Sequence, residues 1–395
     1  MTAEMRLSER LGSIKLSSTA KAAAAAERLR RQGADVVDLG VGEPDFPTPD
    51  NAKRAALAAI ERNFTRYTAI GGIPELREAV CRRHEADFGS RYAPEECMIS
   101  VGGKHVIFNA IQSLVDPGDE AVIPVPFWMT YRDVVEYAGG RPVYVQTLES
   151  EGFRVTAALI EAALTARTRL IIINSPSNPT GAVVEKTEFE AILDLAHARG
   201  IWVLSDESYA RFLYDAPLYS AGSHKAAHEN LIISGSVSKT YAMTGWRIGY
   251  GLAPEPLIRA MTRLQSHTTT SPTSVAQAAA LEALSGPQDS VARMLAEYRG
   301  RREYVLSRLT AMPGMSIRPP QGAFYVYPNV NEAMTRMACA NASDFASRLL
   351  EQELLAVVPG DAFGTSEHIR ISYAASMAQL ERGMDRLEKF VRGAS

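Results

Sequence analysis

Apolar and polar positions along this chain follow two periods. Nearly continuous apolar runs, Cys97-Met-Ile-Ser-Val, Glu120-Ala-Val-Ile-Pro-Val, Leu170-Ile-Ile-Ile-Asn, Ile201-Trp-Val-Leu-Ser and Leu231-Ile-Ile-Ser, read as strands. Runs without alternation fit a sheet covered on both faces. Apolar residues at 106, 107, 110, 111, 114 and 115 carry a helical period and predict a helix over 104–115. Alternating strands and helices predict an α/β fold with a mostly parallel sheet. Strong helix formers over 19–31, stopped by Gly33, predict an N-terminal helix. The last third differs. A helical stretch over 292–309, two alternating runs, Gly322-Ala-Phe-Tyr-Val-Tyr and His368-Ile-Arg-Ile-Ser-Tyr, and a last helix from Ser376 predict a smaller α+β domain. The expected division is 1–48 for an N-terminal arm, a helix and part of the small domain, 49–289 for the large domain, and 290–395 for the small one.

Composition narrows the class. The 395 residues allow more than one core. Hydrophobic residues at 46% and charged residues at 22% are those of an ordinary globular chain. A net charge of −3 gives no general attraction to nucleic acid or anionic membrane. No apolar run approaches the ~18 residues of a membrane span. The N-terminus lacks a signal-peptide pattern. Cys81, Cys97 and Cys339 form no CxxC pair and no disulfide framework, which suits a reducing cytoplasm. No metal-ligand set is nominated.

Each predicted strand is followed by residues that carry chemistry. Gly102-Gly-Lys104 follows the first and Phe127-Trp128 the second. Asn174-Ser-Pro-Ser-Asn178 follows the third, Asp206-Glu-Ser-Tyr209 the fourth, and Ser236-Val-Ser-Lys239 the fifth. Ligands of open α/β sheets bind beyond the carboxyl ends of the strands. Five segments therefore converge on one edge.

Lys239 is the central candidate. A lysine attacks an aldehyde when neutral, and desolvation or neighbouring positive charge depresses its pKa toward that state. Ser236 and Arg247 bracket it and can hold a phosphate, to which the backbone N–H groups at Gly102 and Gly103 add donors at a helix start. Asp206 reads either as a structural cap or as the buried partner of a protonated pyridine nitrogen. Tyr209 and Asn178 can bond a ring hydroxyl, although Asn-Pro-Thr-Gly is also an ordinary turn. Trp128 reads as a stacking face or a core residue. Arg370, between Ile369 and Ile371, reads as a surface residue or as a clamp for a substrate α-carboxylate.

These residues resemble the fold-type I pyridoxal 5'-phosphate (PLP)-dependent aminotransferases, and within them the bacterial aspartate/prephenate aminotransferase-like subgroup. Segments carrying the resemblance span the chain: Val41-Gly-Glu-Pro-Asp-Phe, Tyr67-Thr-Ala-Ile-Gly-Gly-Ile-Pro-Glu-Leu-Arg, Val101-Gly-Gly-Lys, Asn174-Ser-Pro-Ser-Asn-Pro-Thr-Gly, Ser205-Asp-Glu-Ser-Tyr, Ser238-Lys-Thr-Tyr-Ala-Met-Thr-Gly-Trp-Arg-Ile-Gly-Tyr and Arg370-Ile-Ser-Tyr. The resemblance implies a large domain with a mostly parallel seven-stranded sheet and a smaller α+β domain. It implies that Lys239 carries the Schiff base to PLP and serves as general base. Asp206 would pair with the pyridinium nitrogen, Tyr209 and Asn178 would contact the ring oxygen, and Trp128 would stack on the ring. Gly102, Gly103, Ser236 and Arg247 would bind phosphate, with Tyr67 reaching in from a second subunit of a homodimer. Arg370 and Gly42 would hold the α-carboxylate. Lys104 would join the cofactor-binding set and, assisted by Thr19, would also take the distal carboxylate of aspartate or glutamate, with prephenate a further candidate substrate.

Three positions depart from the subgroup's pattern. Ser208 replaces a bulky aliphatic residue, His105 a glutamine and Phe127 a tyrosine. They leave room for a PLP-dependent lyase, cyclase or oxidase. A PLP-sensing regulator is disfavoured, because no DNA-binding domain precedes Thr19 and the net charge is negative. His105 reads as a packed helix residue or as a substrate ligand.

Overall fold

A computed structural model describes residues 7–12, 14 and 18–393, without the side chains of 18–23 and 227. Twelve strands are seen among the described residues: β1 Val37–Asp38, β2 Cys97–Ser100, β3 Glu120–Val125, β4 Arg141–Gln146, β5 Thr168–Asn174, β6 Trp202–Asp206, β7 Leu231–Ser236, β8 Gly249–Leu252, β9 Tyr325–Val326, β10 Leu355–Ala356, β11 Val358–Pro359 and β12 Ile369–Ser372. The helices in the first half are α1 Ser18–Arg31, α2 Asp50–Glu61, α3 Pro74–Phe88, α4 Gly103–Leu114, α5 Thr130–Tyr137, α6 Ala157–Ala163 and α7 Lys186–Ala198. Those in the second half are α8 Val237–Thr240, α9 Glu255–Ser266, α10 Ser274–Ser285, α11 Asp289–Thr310, α12 Asn331–Arg336, α13 Ala342–Glu353 and α14 Met377–Arg392.

Seven strands form the main sheet in the order β2-β8-β7-β6-β5-β3-β4. Pairings from β7 across to β4 are parallel, whereas β8 runs antiparallel to both β7 and β2. The sheet is thus mostly parallel. The continuous apolar runs have a direct cause. Successive strand residues point to opposite faces, and both faces are covered. Ile171 and Ile173 of β5 join a core with α2, α3, α7 and α10. Leu170 and Ile172 join a second core with α4, α5 and α9. Each such side chain, fully buried, contributes about 1.5–3 kcal/mol.

A third core gathers Val37, Phe324, Phe345, Ile371 and Leu387 around α11, α13 and α14. Beside it lie the three-stranded sheet β11-β12-β9 and the parallel pair β1-β10, so the segment at 37–38 packs with the C-terminal third. The helix α11 bridges the cores: Val291 packs on the sheet side, Met294 and Tyr298 on the other. The last helix is capped by Ser376, whose hydroxyl accepts from the Gln379 N–H at 3.4 Å.

Candidate active site

Because β8 is antiparallel, its amino end meets the carboxyl ends of β2, β3, β5, β6 and β7. A cavity of about 440 Å³ opens there. From the sheet side it is lined by Gly103, Lys104, Trp128, Asn178, Asp206 and Tyr209. The β7–α8 junction supplies Ser236 and Lys239, and the approach to β8 supplies Arg247. Gly42 and Arg370 close it from the other core. Gly102 sits just behind the lining. It adopts φ 80° as the residue before α4, and a Cβ there would strike the Arg247 guanidinium. The helix begins without a side-chain cap, leaving its first N–H groups open to an anion. Gly249 faces the same constraint, since a Cβ would collide with the Gly102–Gly103 backbone.

Lys239 is held by a 2.6 Å hydrogen bond from its amine to the Gly42 carbonyl. Burial lowers its pKa to about 8; Glu43 opposes the shift, while Arg370 and Arg247 add to it. Asp206 is 3% exposed. Its Oδ2 accepts from the Tyr131 hydroxyl at 2.6 Å, and its Oδ1 accepts from Ser208 Oγ at 2.7 Å and the Ser208 N–H at 3.1 Å. Burial raises the Asp206 pKa and these bonds work against that rise. Asp206 caps none of the described helices; it bonds the N–H and hydroxyl of Ser208 in its own turn and lines the cavity as a buried carboxylate.

Arg370 is 3% exposed, which removes the surface reading. Its Nη1 donates to Asn178 Oδ1 at 2.9 Å and its Nη2 to the Gly40 carbonyl at 2.6 Å. The guanidinium lies 4.4 Å above the Tyr325 ring. The Tyr325 hydroxyl shares a 2.8 Å hydrogen bond with that of Tyr209. A Cβ on Gly42 would meet the Tyr325 hydroxyl, so this close approach favours glycine. The Lys104 ammonium stands 4.8 Å over the Trp128 ring. Burial first, then Arg247, lowers its pKa. Tyr67 is 92% exposed and does not reach the cavity of its own chain. The Thr19 side chain lies outside the described residues.

Of the three departures, Ser208 lines the cavity. His105 does not: its Nδ1 meets Ser100 Oγ at 2.8 Å and its Nε2 meets Thr268 Oγ1 at 3.3 Å, the packed reading. Phe127 stacks on Tyr144 at 5.2 Å. Two tyrosines escaped the sequence reading. Tyr131 follows Trp128 by three residues, the signal that could have placed it on the same side of one turn. Tyr325 lies in a run that reads as plain core.

The family model for aminotransferase class I and II matches residues 34–387. The chain is 41% identical over 389 residues to the aspartate aminotransferase of Bacillus sp. (strain YM-2), covering 98% of this chain and 99% of that one. It is 42% identical over 397 residues to the aspartate/prephenate aminotransferase of Cereibacter sphaeroides, with 98% and 99% covered. The solved aspartate aminotransferase from Thermus thermophilus with maleate superposes with a TM-score of 0.94 at 40% identity, covering 98% of this chain and all of that one. Fold and site together define a fold-type I PLP-dependent enzyme. More narrowly, the chain belongs to the aminotransferase class I and II family, and it is a PLP-dependent aminotransferase acting on amino acids and 2-oxo acids.

Proposed function

We propose that this aminotransferase moves an amino group between a dicarboxylic L-amino acid, aspartate or glutamate, and a 2-oxo acid, with prephenate a candidate acceptor. The observation that carries this reading is the charge inventory of the cavity. Among the described residues the cavity lining holds four cationic side chains, Lys104, Lys239, Arg247 and Arg370, against one carboxylate, Asp206. Once Arg247 serves a phosphate and Arg370 an α-carboxylate, Lys104 is left for a second carboxylate. The names of the relatives support the same choice, and maleate, present with the Thermus protein, is itself a dicarboxylate. A screen of amino donors against 2-oxoglutarate and prephenate tests it; alanine or an aromatic donor outrunning aspartate and glutamate would overturn it.

The residues present fit PLP. Asp206 is a buried carboxylate with three donors and, among the described residues, no lysine or arginine paired to it. A buried carboxylate of this kind calls for a cation, which a protonated ring nitrogen supplies. Gly102 leaves the space that Arg247 uses, and the open start of α4 adds amide donors with Gly103; Ser236 completes the phosphate set. When bound, PLP supplies a conjugated ring that stabilises negative charge at the substrate α-carbon.

In this reading Lys239 would hold the cofactor through Nζ and, once the substrate's own amine has displaced it, the freed Nζ would carry the substrate α-proton. A pKa near 8 keeps a useful neutral fraction at physiological pH. Tyr209 and Asn178 would contact the ring oxygen, and Trp128 would offer the ring a flat face. Arg370, locked by Asn178 and Gly40, orients the α-carboxylate, with Gly42 beside it. Tyr67, exposed on its own chain, completes the phosphate site of a second copy in a homodimer. The three free cysteines suit a reducing compartment, and a cytoplasmic location is part of the proposal. No helix among the described residues is long and apolar enough to cross a membrane.

A further inference from the structure

Asp206 stands at the end of β6 with both oxygens engaged. Tyr131, on α5, donates to one; the hydroxyl and the N–H of Ser208 donate to the other. Burial and the neighbouring Asp206 hold the Tyr131 pKa well above the usual phenol range, so its O–H remains a donor. Glu207 is the charged neighbour, and its field disfavours ionisation of Asp206; Tyr209 lies on the following turn. Hydrogen bonds, rather than an ion pair among the described residues, thus partly offset the cost of this buried charge.

We propose that Ser208 is a positioning residue for the reaction: its hydroxyl keeps the Asp206 carboxylate weakly basic, so that the proton shared with the cofactor stays on the ring nitrogen. The inference rests on the reading that Asp206 faces that nitrogen. A carboxylate and a pyridine nitrogen share one proton, and the more basic group keeps it. Each hydrogen bond onto the carboxylate lowers its proton affinity. Without the Ser208 hydroxyl, the backbone N–H and Tyr131 remain, Asp206 becomes more basic, and the proton moves toward it. The ring then loses positive charge and withdraws electrons less strongly. An aliphatic side chain at 208 has no such hydroxyl, which makes this control a property of serine at this position.

The test loads wild-type, S208A, S208T and D206N proteins with PLP carrying ¹⁵N in the ring. The nitrogen chemical shift reports its protonation directly, and the visible absorbance titration of the bound cofactor reports it independently. Positive charge on the ring opposes protonation elsewhere in the conjugated system, so its loss raises the absorbance midpoint. In S208A the nitrogen shift moves toward neutral pyridine and the midpoint rises by roughly one pH unit. S208T retains a hydroxyl and stays near wild type. D206N moves both signals further than S208A. If D206N moves them and S208A does not, the role of Ser208 is overturned while the Asp206 reading stands. If D206N moves neither, the Asp206 reading falls and takes this inference with it. If S208T is displaced as far as S208A, the hydroxyl is not the cause and the proposal is overturned.

Discussion

The Lys239 amine donates to the Gly42 carbonyl at 2.6 Å, tying α8, which directly follows β7, to the chain segment just after β1. The bond joins the two halves of the cavity at its most reactive atom. It also holds the amine where burial penalises its charge and lowers its pKa to about 8.

Uptake of PLP by the apoprotein follows from that pKa. The neutral amine is the attacking form. Because the shift is downward, the neutral fraction grows as pH rises and is nearly complete a unit or so above 8. The rate of covalent attachment, followed by stopped-flow absorbance, rises with pH and levels off in that range. An ordinary lysine would keep gaining until about 10.4, and a rate still climbing there would show that the site does not depress this amine.

Arg370→Lys keeps the charge and loses the fork. Asn178 Oδ1 and the Gly40 carbonyl then compete for one ammonium. A loss of about 2–5 kcal/mol, roughly 30-fold to 5,000-fold in kcat/KM, is expected. Every donor carries an α-carboxylate, so aspartate and alanine suffer alike in steady-state assays. A loss confined to dicarboxylic donors would place the α-carboxylate elsewhere.

Lys104→Ala has the opposite signature. Removing a charged donor costs about 1.5–3 kcal/mol, or roughly 10-fold to 150-fold, for aspartate and glutamate. Alanine as donor changes little. Equal losses for all three donors in kcat/KM measurements would remove Lys104 from distal-carboxylate recognition and leave its place over Trp128 a packing feature.

Tyr67 supplies a test of shared sites. Lys239→Ala and Tyr67→Phe chains, each weak alone, are unfolded together, refolded and assayed as a mixture. A hybrid dimer carries one site with Lys239 from one copy and Tyr67 from the other, so activity exceeds that of either parent preparation. Mixtures equal to the average of the parents would contradict the sharing.

Much of this architecture is legible in the chain. The runs at β3, β5, β6 and β7 announce themselves because both faces of the sheet are covered. Two strands of the main sheet are silent for physical reasons. The edge strand β4 has one buried residue, Val145, and a proline. The strand β8 reads Gly-Tyr-Gly-Leu, a composition that argues against a strand, yet Gly249 is needed where the backbone of Gly102 and Gly103 passes close by. The antiparallel turn of β8 is what brings Arg247 to the site edge, and no periodicity encodes it. In the site, residues following strands could be found because strand ends point to one edge. Tyr131 and Tyr325 could not, since a buried tyrosine in an apolar run looks like core until its hydroxyl has a partner. Arg370 needed the structure to choose between surface and interior.

The most direct test is chemical. Borohydride reduction of the PLP-loaded protein, followed by digestion and peptide mass spectrometry, fixes the cofactor on whichever lysine holds it. The label is expected on Lys239, in near-stoichiometric amount. A label on Lys104 or another lysine, or Lys239 recovered unmodified from protein that still binds PLP, would contradict the account of the site.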